Sequence, residues 1–107
     1  MAAVFRALAD PARRRLLDTL RARNGQTLKE LSQGHDMTRQ AVTKHLVILE
    51  EANLVTTQWS GREKLHYLNP VPIQEISDRW ISKYERSRLR SLADLKRHLE
   101  GHDEEKT

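Results

Sequence analysis

The chain has 107 residues, which suits one domain, and its 37% hydrophobic and 32% charged residues allow a compact core but not a thick one. Lysine and arginine number 19 against 15 aspartate and glutamate residues, so the formal net charge of +4 favours a polyanionic partner. The absence of cysteine excludes disulfides, thiolate metal sites and cysteine nucleophiles.

Two helices are predicted at the start of the chain. The first runs from about Ala3 to Ala9. Asp10 caps the second, whose first residue is Pro11, a position where the missing N–H of proline costs nothing. Asn24-Gly25 ends this helix in a turn. Its predicted buried stripe consists of Leu16, Leu17 and Leu20.

The next segment predicts two helices separated by a tight turn. Thr27 and Glu30 have the spacing of a capping box, and Gly34 stops the short helix that they begin. Thr38 caps the following helix, which ends near Asn53, a residue that tolerates the left-handed conformation common at helix ends. The residues of these two helices that are predicted to face inward are Leu28, Leu31, Val42, Leu46 and Leu49.

A β-hairpin follows. Residues Leu54 to Trp59 are rich in β-branched and aromatic types, Ser60 to Glu63 form a turn, and Lys64 to Leu68 alternate in polarity. An isolated hairpin is marginal in water, so it must lie against the helices. Trp59 and Tyr67 fit packing within the hairpin better than stacking on nucleic acid.

A long last helix is predicted from about Val71 to Leu99, with a charged tail beyond Gly101. We therefore expect one domain over residues 1–100 and a flexible tail over 101–107. The apolar stripe of this helix is too long for the protomer to cover, which predicts pairing with a second copy, joined by the first helix. The expected dimer contacts are Val4, Phe5, Leu8, Trp80, Tyr84, Leu89, Leu92, Leu95 and Leu99.

The order of elements predicts a mainly α fold with a β-hairpin wing, that is, a winged helix-turn-helix dimerising through its terminal helices. In such proteins the second helix of the motif enters the major groove of DNA. The expected base contacts are Thr38, Arg39, Gln40 and Thr43, and the expected backbone contacts are Lys44, His45 and Arg62. An ordinary solvated helix face is the alternative for the polar residues, and half-buried packing is the alternative for His45.

The pattern from Thr38 to Val55 resembles the ArsR family of winged-helix repressors, as does the opening FRALADPARRRLLDTL and the hairpin ending at Leu68-Asn69-Pro70. The resemblance covers Phe5 to about Leu99. It implies a homodimeric repressor that binds a palindromic operator and releases it on a signal, with an unidentified small-molecule effector as a further partner. Asn53 stands where the family usually has glycine.

Many ArsR members sense metals through a cysteine pair in the third helix, and the matching stretch LKELSQGHDM has none. The resemblance therefore implies a metal-independent branch without a cofactor. One alternative is a metal-responsive repressor using Asp94, His98 and His102, spaced by four residues. Another is a winged helix that docks a protein partner and binds no DNA.

Other classes are not favoured by the sequence. It offers no glycine-rich phosphate loop and no nucleophile with a partnered base, so we expect no enzyme. It also lacks an apolar run of membrane-spanning length and the core of a signal peptide, so we expect a cytoplasmic protein with no membrane partner.

Overall fold

The computed structural model describes residues 1–81, 90 and 92–99. Within the range predicted for the last helix, residues 71–80, 90 and 92–99 are helical, and residues 82–89 and 91 lie outside the described residues. The named elements are α1 (Ala2–Leu8), α2 (Pro11–Ala22), α3 (Leu28–Gln33), α4 (Arg39–Glu51), β1 (Val55–Ser60), β2 (Glu63–Leu68) and α5 (Val71–Trp80).

The predicted start of α2 is confirmed. The carboxylate of Asp10 accepts hydrogen bonds from the N–H groups of Ala12 at 2.7 Å and Arg13 at 3.4 Å, and Pro11 occupies the first helical position. Partial burial acts to raise the pKa of Asp10, but these two N–H groups and the nearby Arg13 guanidinium hold it below its ordinary value. The ionised carboxylate thus satisfies N–H groups that the helix itself leaves unpaired.

The helix-turn-helix is also capped as predicted. Thr27 accepts from the N–H of Glu30, and the Glu30 carboxylate accepts in return from the N–H of Thr27, which completes the capping box. Thr38 accepts from the N–H of Ala41 at 3.1 Å and begins α4. Beyond α4, Asn53 has the expected left-handed backbone, with φ at 60°.

The two strands form an antiparallel hairpin in which Val55 pairs with Leu68 and Ser60 with Glu63. β1 is shifted by one residue from the sequence prediction, and β2 begins one residue earlier than predicted and ends where predicted. Gly61 makes the turn with φ at 62°. A backbone bridge from His66 to Gln26 ties β2 to the loop between α2 and α3. The predicted hairpin is therefore confirmed, and its base is anchored to the helices.

The core lies among α1 to α4 and the base of the hairpin. The predicted stripe of α2 is buried, as are Val42, Leu46 and Leu49 of α4. Leu28 is only half-buried, because it lies at the surface between α3 and α4. The fully buried large side chains are Leu16, Leu20, Leu31, Val42, Leu49 and Leu54.

The chain divides into two compact units, Met1–Glu75 and Ile76–Thr107. The first contains the helix-turn-helix and the hairpin. In the second, residues 92–99 are exposed. None of the helices described has the length and apolar character that crossing a membrane requires. The predicted boundary between a domain over 1–100 and a tail over 101–107 stays a prediction, since the tail lies outside the described residues.

Candidate nucleic-acid interface

Helix α4 has one buried face and one exposed polar face. Its buried residues pack against α1, α2 and α3. Since side chains three and four positions apart lie on the same side of a helix, the opposite side collects the polar residues of its first two turns. The exposed residues there, including the cap, are Thr38, Arg39, Gln40, Thr43 and Lys44.

A surface groove beside α4 brings most of these side chains together. Arg39, Gln40, Thr43 and Lys44 line it, and Leu28 of α3 forms its apolar side. Within the described part of the chain, the side chains of Arg39 and Gln40 make no hydrogen bond. Both are therefore available to pair bidentately with guanine and adenine, respectively. Thr38, His45 and Arg62 do not line this groove.

The two threonines already use their hydroxyls within the helix. Thr38 accepts the capping hydrogen bond, and Thr43 donates to the carbonyl of Arg39 at 2.9 Å. The proton of the Thr43 hydroxyl is therefore committed to the backbone, which leaves its methyl group and an oxygen lone pair for an external partner.

His45 is half-buried and has a partner inside the protein. Its Nδ1 lies 3.3 Å from a guanidinium nitrogen of Arg13. A guanidinium only donates, so Nδ1 accepts and a neutral ring carries its proton on Nε2. Arg13 also donates to the carbonyls of Ala7 at 2.8 Å and Arg6 at 2.9 Å. His45 thus helps to hold α4 on the corner between α1 and α2.

Two arginines that follow this corner, Arg13 and Arg14, have a structural role that was not predicted from the sequence. Arg14, like Arg13, donates to a carbonyl at the end of α1, that of Leu8, at 2.7 Å. Carbonyls in the last turn of a helix lack the usual N–H partner four residues later, and cationic side chains suit a helix C-terminus. The Arg6 carbonyl accepts in addition from the N–H of Ala9 at 3.3 Å. Two successive arginines in the first turn after a short helix, Arg13 and Arg14, are the sequence signal for this capping.

The turn between α3 and α4 is held from α2. His35 Nε2 lies 3.0 Å from the Thr19 hydroxyl. Burial lowers the pKa of His35, and the nearby positive charge of Arg15 lowers it further. The imidazole is therefore neutral near pH 7, which suits a hydrogen-bonded structural residue in this turn.

The wing has a free tip and an anchored base. Arg62 is exposed, and among the described residues no atom other than those of Gly61 and its chain neighbours lies within 4 Å of the position that a Cβ on Gly61 would occupy. Nearer the base, Lys64 Nζ lies 3.5 Å from Glu50 Oε1 of α4. The buried His66 donates from Nδ1 to the carbonyl of Gln26 at 2.9 Å. The wing is thereby held beside α4.

Of the alternative metal ligands, Asp94 and His98 lie in the described part of the chain. No group of three or more histidine, aspartate or glutamate residues there could hold a metal ion. Asp94 forms an ion pair with Arg97. His102 lies outside the described residues.

A capped helix, a turn, an exposed polar helix and a hairpin held beside it define a winged helix-turn-helix, a class of DNA-binding proteins. Residues 8–58 match the family model described as "Helix-turn-helix domain". The chain is similar to the uncharacterized HTH-type transcriptional regulator YuzN of Bacillus subtilis, with 41% identity over 74% of this chain and 92% of YuzN. It is 27% identical to the transcriptional repressor SdpR of the same organism, over 76% of this chain and 88% of SdpR.

Among solved structures, an ArsR-like transcriptional regulator from Rhodococcus sp. RHA1 superposes with a TM-score of 0.71 at 30% identity, over 94% of this chain and 90% of that chain. The chain belongs to the ArsR-like family of winged helix-turn-helix transcriptional regulators. It is therefore a DNA-binding transcriptional regulator, and this family and fold are not those of enzymes.

Proposed function

We propose that the protein is a homodimeric repressor that binds a palindromic operator in the cytoplasm and releases it on a signal carried by a small-molecule effector. The observation that carries this proposal is the exposed polar face of α4 beside an anchored wing. Repression is supported by the similarity to SdpR, a transcriptional repressor. The net charge of +4 favours association with DNA.

In this proposal α4 enters the major groove, where Arg39 reads guanine and Gln40 reads adenine. Thr38 and Thr43 contact base edges, chiefly through their methyl groups, because their hydroxyls are partly used within the helix. Lys44 and Arg62 contact the phosphate backbone. His45 adds a phosphate contact only through Nε2, since Nδ1 faces Arg13.

Dimerisation is supported by large apolar side chains that the protomer leaves exposed. Of the three contacts expected in α1, Phe5 is 45% exposed, Val4 is 8% exposed and Leu8 is half-buried, so Phe5 is the one that offers most of its side chain to a partner. Tyr84 and Leu89 lie outside the described residues. In the second unit the exposed apolar residues that were expected at the interface are Trp80, Leu92, Leu95 and Leu99.

Selection of bound duplexes from a randomised pool, followed by sedimentation of the complex, tests the proposal. We expect an inverted repeat whose half-sites are about 34–36 Å apart, with two chains bound to each duplex. Enrichment of a single, non-repeated site would contradict the palindromic operator. No enrichment, together with no binding to random duplex at low salt, would favour a module that docks a protein partner.

The sign of regulation needs a separate measurement. Transcription from a promoter that carries the selected site should fall when the purified protein is added. A rise in transcript level would show an activator instead.

Addition of Zn²⁺ should leave the affinity for the selected duplex unchanged. A loss of affinity with zinc that His98→Ala abolishes would favour the metal-responsive alternative.

A further inference from the structure

Trp59 lies near the free end of the wing and is 67% exposed. The sequence favoured packing within the hairpin over stacking on nucleic acid for this residue, yet most of its side chain is exposed. Val55, four residues earlier on the same face of β1, is 2% exposed. At about 3.3 Å per residue, the indole is attached roughly 13 Å beyond the point where the strand leaves the core. The hairpin therefore carries a large apolar side chain away from the protein body.

The face that carries Trp59 is turned towards α4. Trp59 is paired directly with Lys64, and directly paired residues of antiparallel strands project from the same face. Lys64 reaches across to Glu50 of α4 at 3.5 Å. The next pair on the same face towards the base, Thr57 and His66, includes the buried histidine. Trp59 is thus an exposed apolar side chain on the face of the wing that is turned towards α4.

We propose that the indole of Trp59 packs against the deoxyribose and phosphate backbone of duplex DNA, next to the groove that α4 occupies. This inference rests on the proposed placement of α4. A wing held beside α4 must meet the backbone that borders that groove, and Arg62, three residues along, supplies the complementary charge. The flat apolar face of an indole fits the exposed C–H surface of the sugars, while its N–H can donate to a phosphate oxygen.

Contact with the backbone has a specific consequence. Every nucleotide carries the same sugar and phosphate, so the contribution of Trp59 is the same on operator and random duplex. It also involves no charge, so it releases no counterions. Trp59 therefore sets the affinity and the position of the wing, whereas Arg62 sets part of the salt dependence.

The chain has two tryptophans, so ¹⁹F NMR of protein labelled with 5-fluorotryptophan gives two signals, and the spectrum of Trp59→Phe assigns them. When a random 30-base-pair duplex is added, we expect the ¹⁹F chemical shift of Trp59 to change. We also expect the difference between its chemical shifts in H₂O and D₂O to become smaller. A Trp59 signal unmoved by a duplex that the protein demonstrably binds overturns the inference. So does a shift that follows protein concentration without DNA, since a second copy then covers the indole.

Affinity measurements provide the second test. Trp59→Ala should weaken binding to operator and to random duplex by the same factor, about tenfold, with no change in the salt slope. Gln58→Ala is the matched control, because Gln58 is the exposed neighbour on the opposite face of β1, and it should bind as the parent does. Arg62→Ala should instead flatten the salt slope by about one contact.

The outcomes separate this inference from the proposed function. If Trp59→Ala binds both duplexes as tightly as Gln58→Ala, the indole contact is wrong while the repressor proposal stands. A loss confined to the operator also overturns the backbone contact, because it would show that Trp59 reads bases. If the parent protein binds no duplex, both proposals fail together.

Discussion

Several predicted DNA-contacting side chains already have partners within the folded protein. The hydroxyls of Thr38 and Thr43 bond to the backbone of their own helix, and His45 faces Arg13. Arg39 and Gln40 make no side-chain hydrogen bond within the described part of the chain. Because discrimination between bases depends on donors and acceptors left free for base edges, we expect it to rest mainly on these two residues.

Arg39→Ala should lower operator affinity by about 1–3 kcal/mol and relax the preference at one base pair. Arg39→Lys is the matched variant, since it keeps the positive charge but loses the planar fork that pairs with guanine. We expect the lysine variant to bind random duplex like the parent and to discriminate poorly. Binding-site selection with both variants measures this. An unchanged preference in the alanine variant would refute the assigned role of Arg39.

The charge of Glu30 predicts a pH dependence of stability. The hydrogen bond from the Thr27 N–H lowers the pKa of Glu30 most, and the Thr27 hydroxyl and Arg23 lower it further against the opposing effect of burial. A carboxyl with a depressed pKa in the folded state stabilises the protein above its unfolded pKa. That contribution is lost as the pH falls through the lower, folded value.

Glu30→Gln should therefore reduce the free energy of unfolding near pH 7, and its deficit relative to the parent should shrink as the pH falls from about 5 to about 3. Glutamine keeps the reciprocal hydrogen bond of a capping box and removes only the charge. Urea unfolding across this pH range provides the measurement, with Glu51→Gln, at an exposed position, as the control. A deficit that stays constant with pH would exclude the ionised carboxylate as its source.

At the scale of elements, each helix of the motif depends on its N-cap. Thr38→Ala should lower the free energy of unfolding by about 1 kcal/mol, because the N–H of Ala41 loses its acceptor. Thr38→Ser keeps the hydroxyl and should restore most of this stability. Urea unfolding of both variants tests the cap. Equal losses in the serine and alanine variants would show that the methyl group, rather than the hydrogen bond, stabilises this end of α4.

The wing illustrates how an element is held at one end only. Its base is hydrogen-bonded to the loops around it: the N–H of Leu68 donates to the Asn24 side chain and that of Asn69 to the carbonyl of Leu54, both at 2.8 Å. The exposed residues from Thr56 to Arg62 extend from this base. A rigid base with an exposed end suits an element that contacts a partner, which is the role proposed for Trp59 and Arg62.

The exposed leucines of the second unit, Leu92, Leu95 and Leu99, predict that the whole molecule self-associates. Leu95→Glu should convert the proposed dimer into a monomer, because burying a leucine contributes about 1.5–3 kcal/mol and a two-fold interface repeats the loss. Operator affinity should then fall to that of a single half-site. Ala93→Glu adds the same charge about 200° around the helix and should leave the dimer intact. Sedimentation velocity of both variants decides the point, and a parent protein that is monomeric at micromolar concentration would contradict the dimer itself.

The features that the sequence determined by itself are those that depend on neighbouring residues. Capping hydrogen bonds join residues two or three positions apart, and helical stripes repeat every three or four, so Asp10, Thr27, Thr38 and the leucines of α2 were readable directly. The left-handed Asn53 and the hairpin turn followed from the same local chemistry. These features suffice to predict the winged helix-turn-helix order.

The remaining features were decided by the tertiary structure. His66 is buried because the chain brings it to Gln26, 40 residues away, and His45 meets Arg13, 32 residues away. Trp59 is 67% exposed, whereas Val55, on the same face of β1, is 2% exposed. Local periodicity assigns a residue to a face of its element, but burial depends on what lies opposite that face, and only the folded chain supplies those distant neighbours.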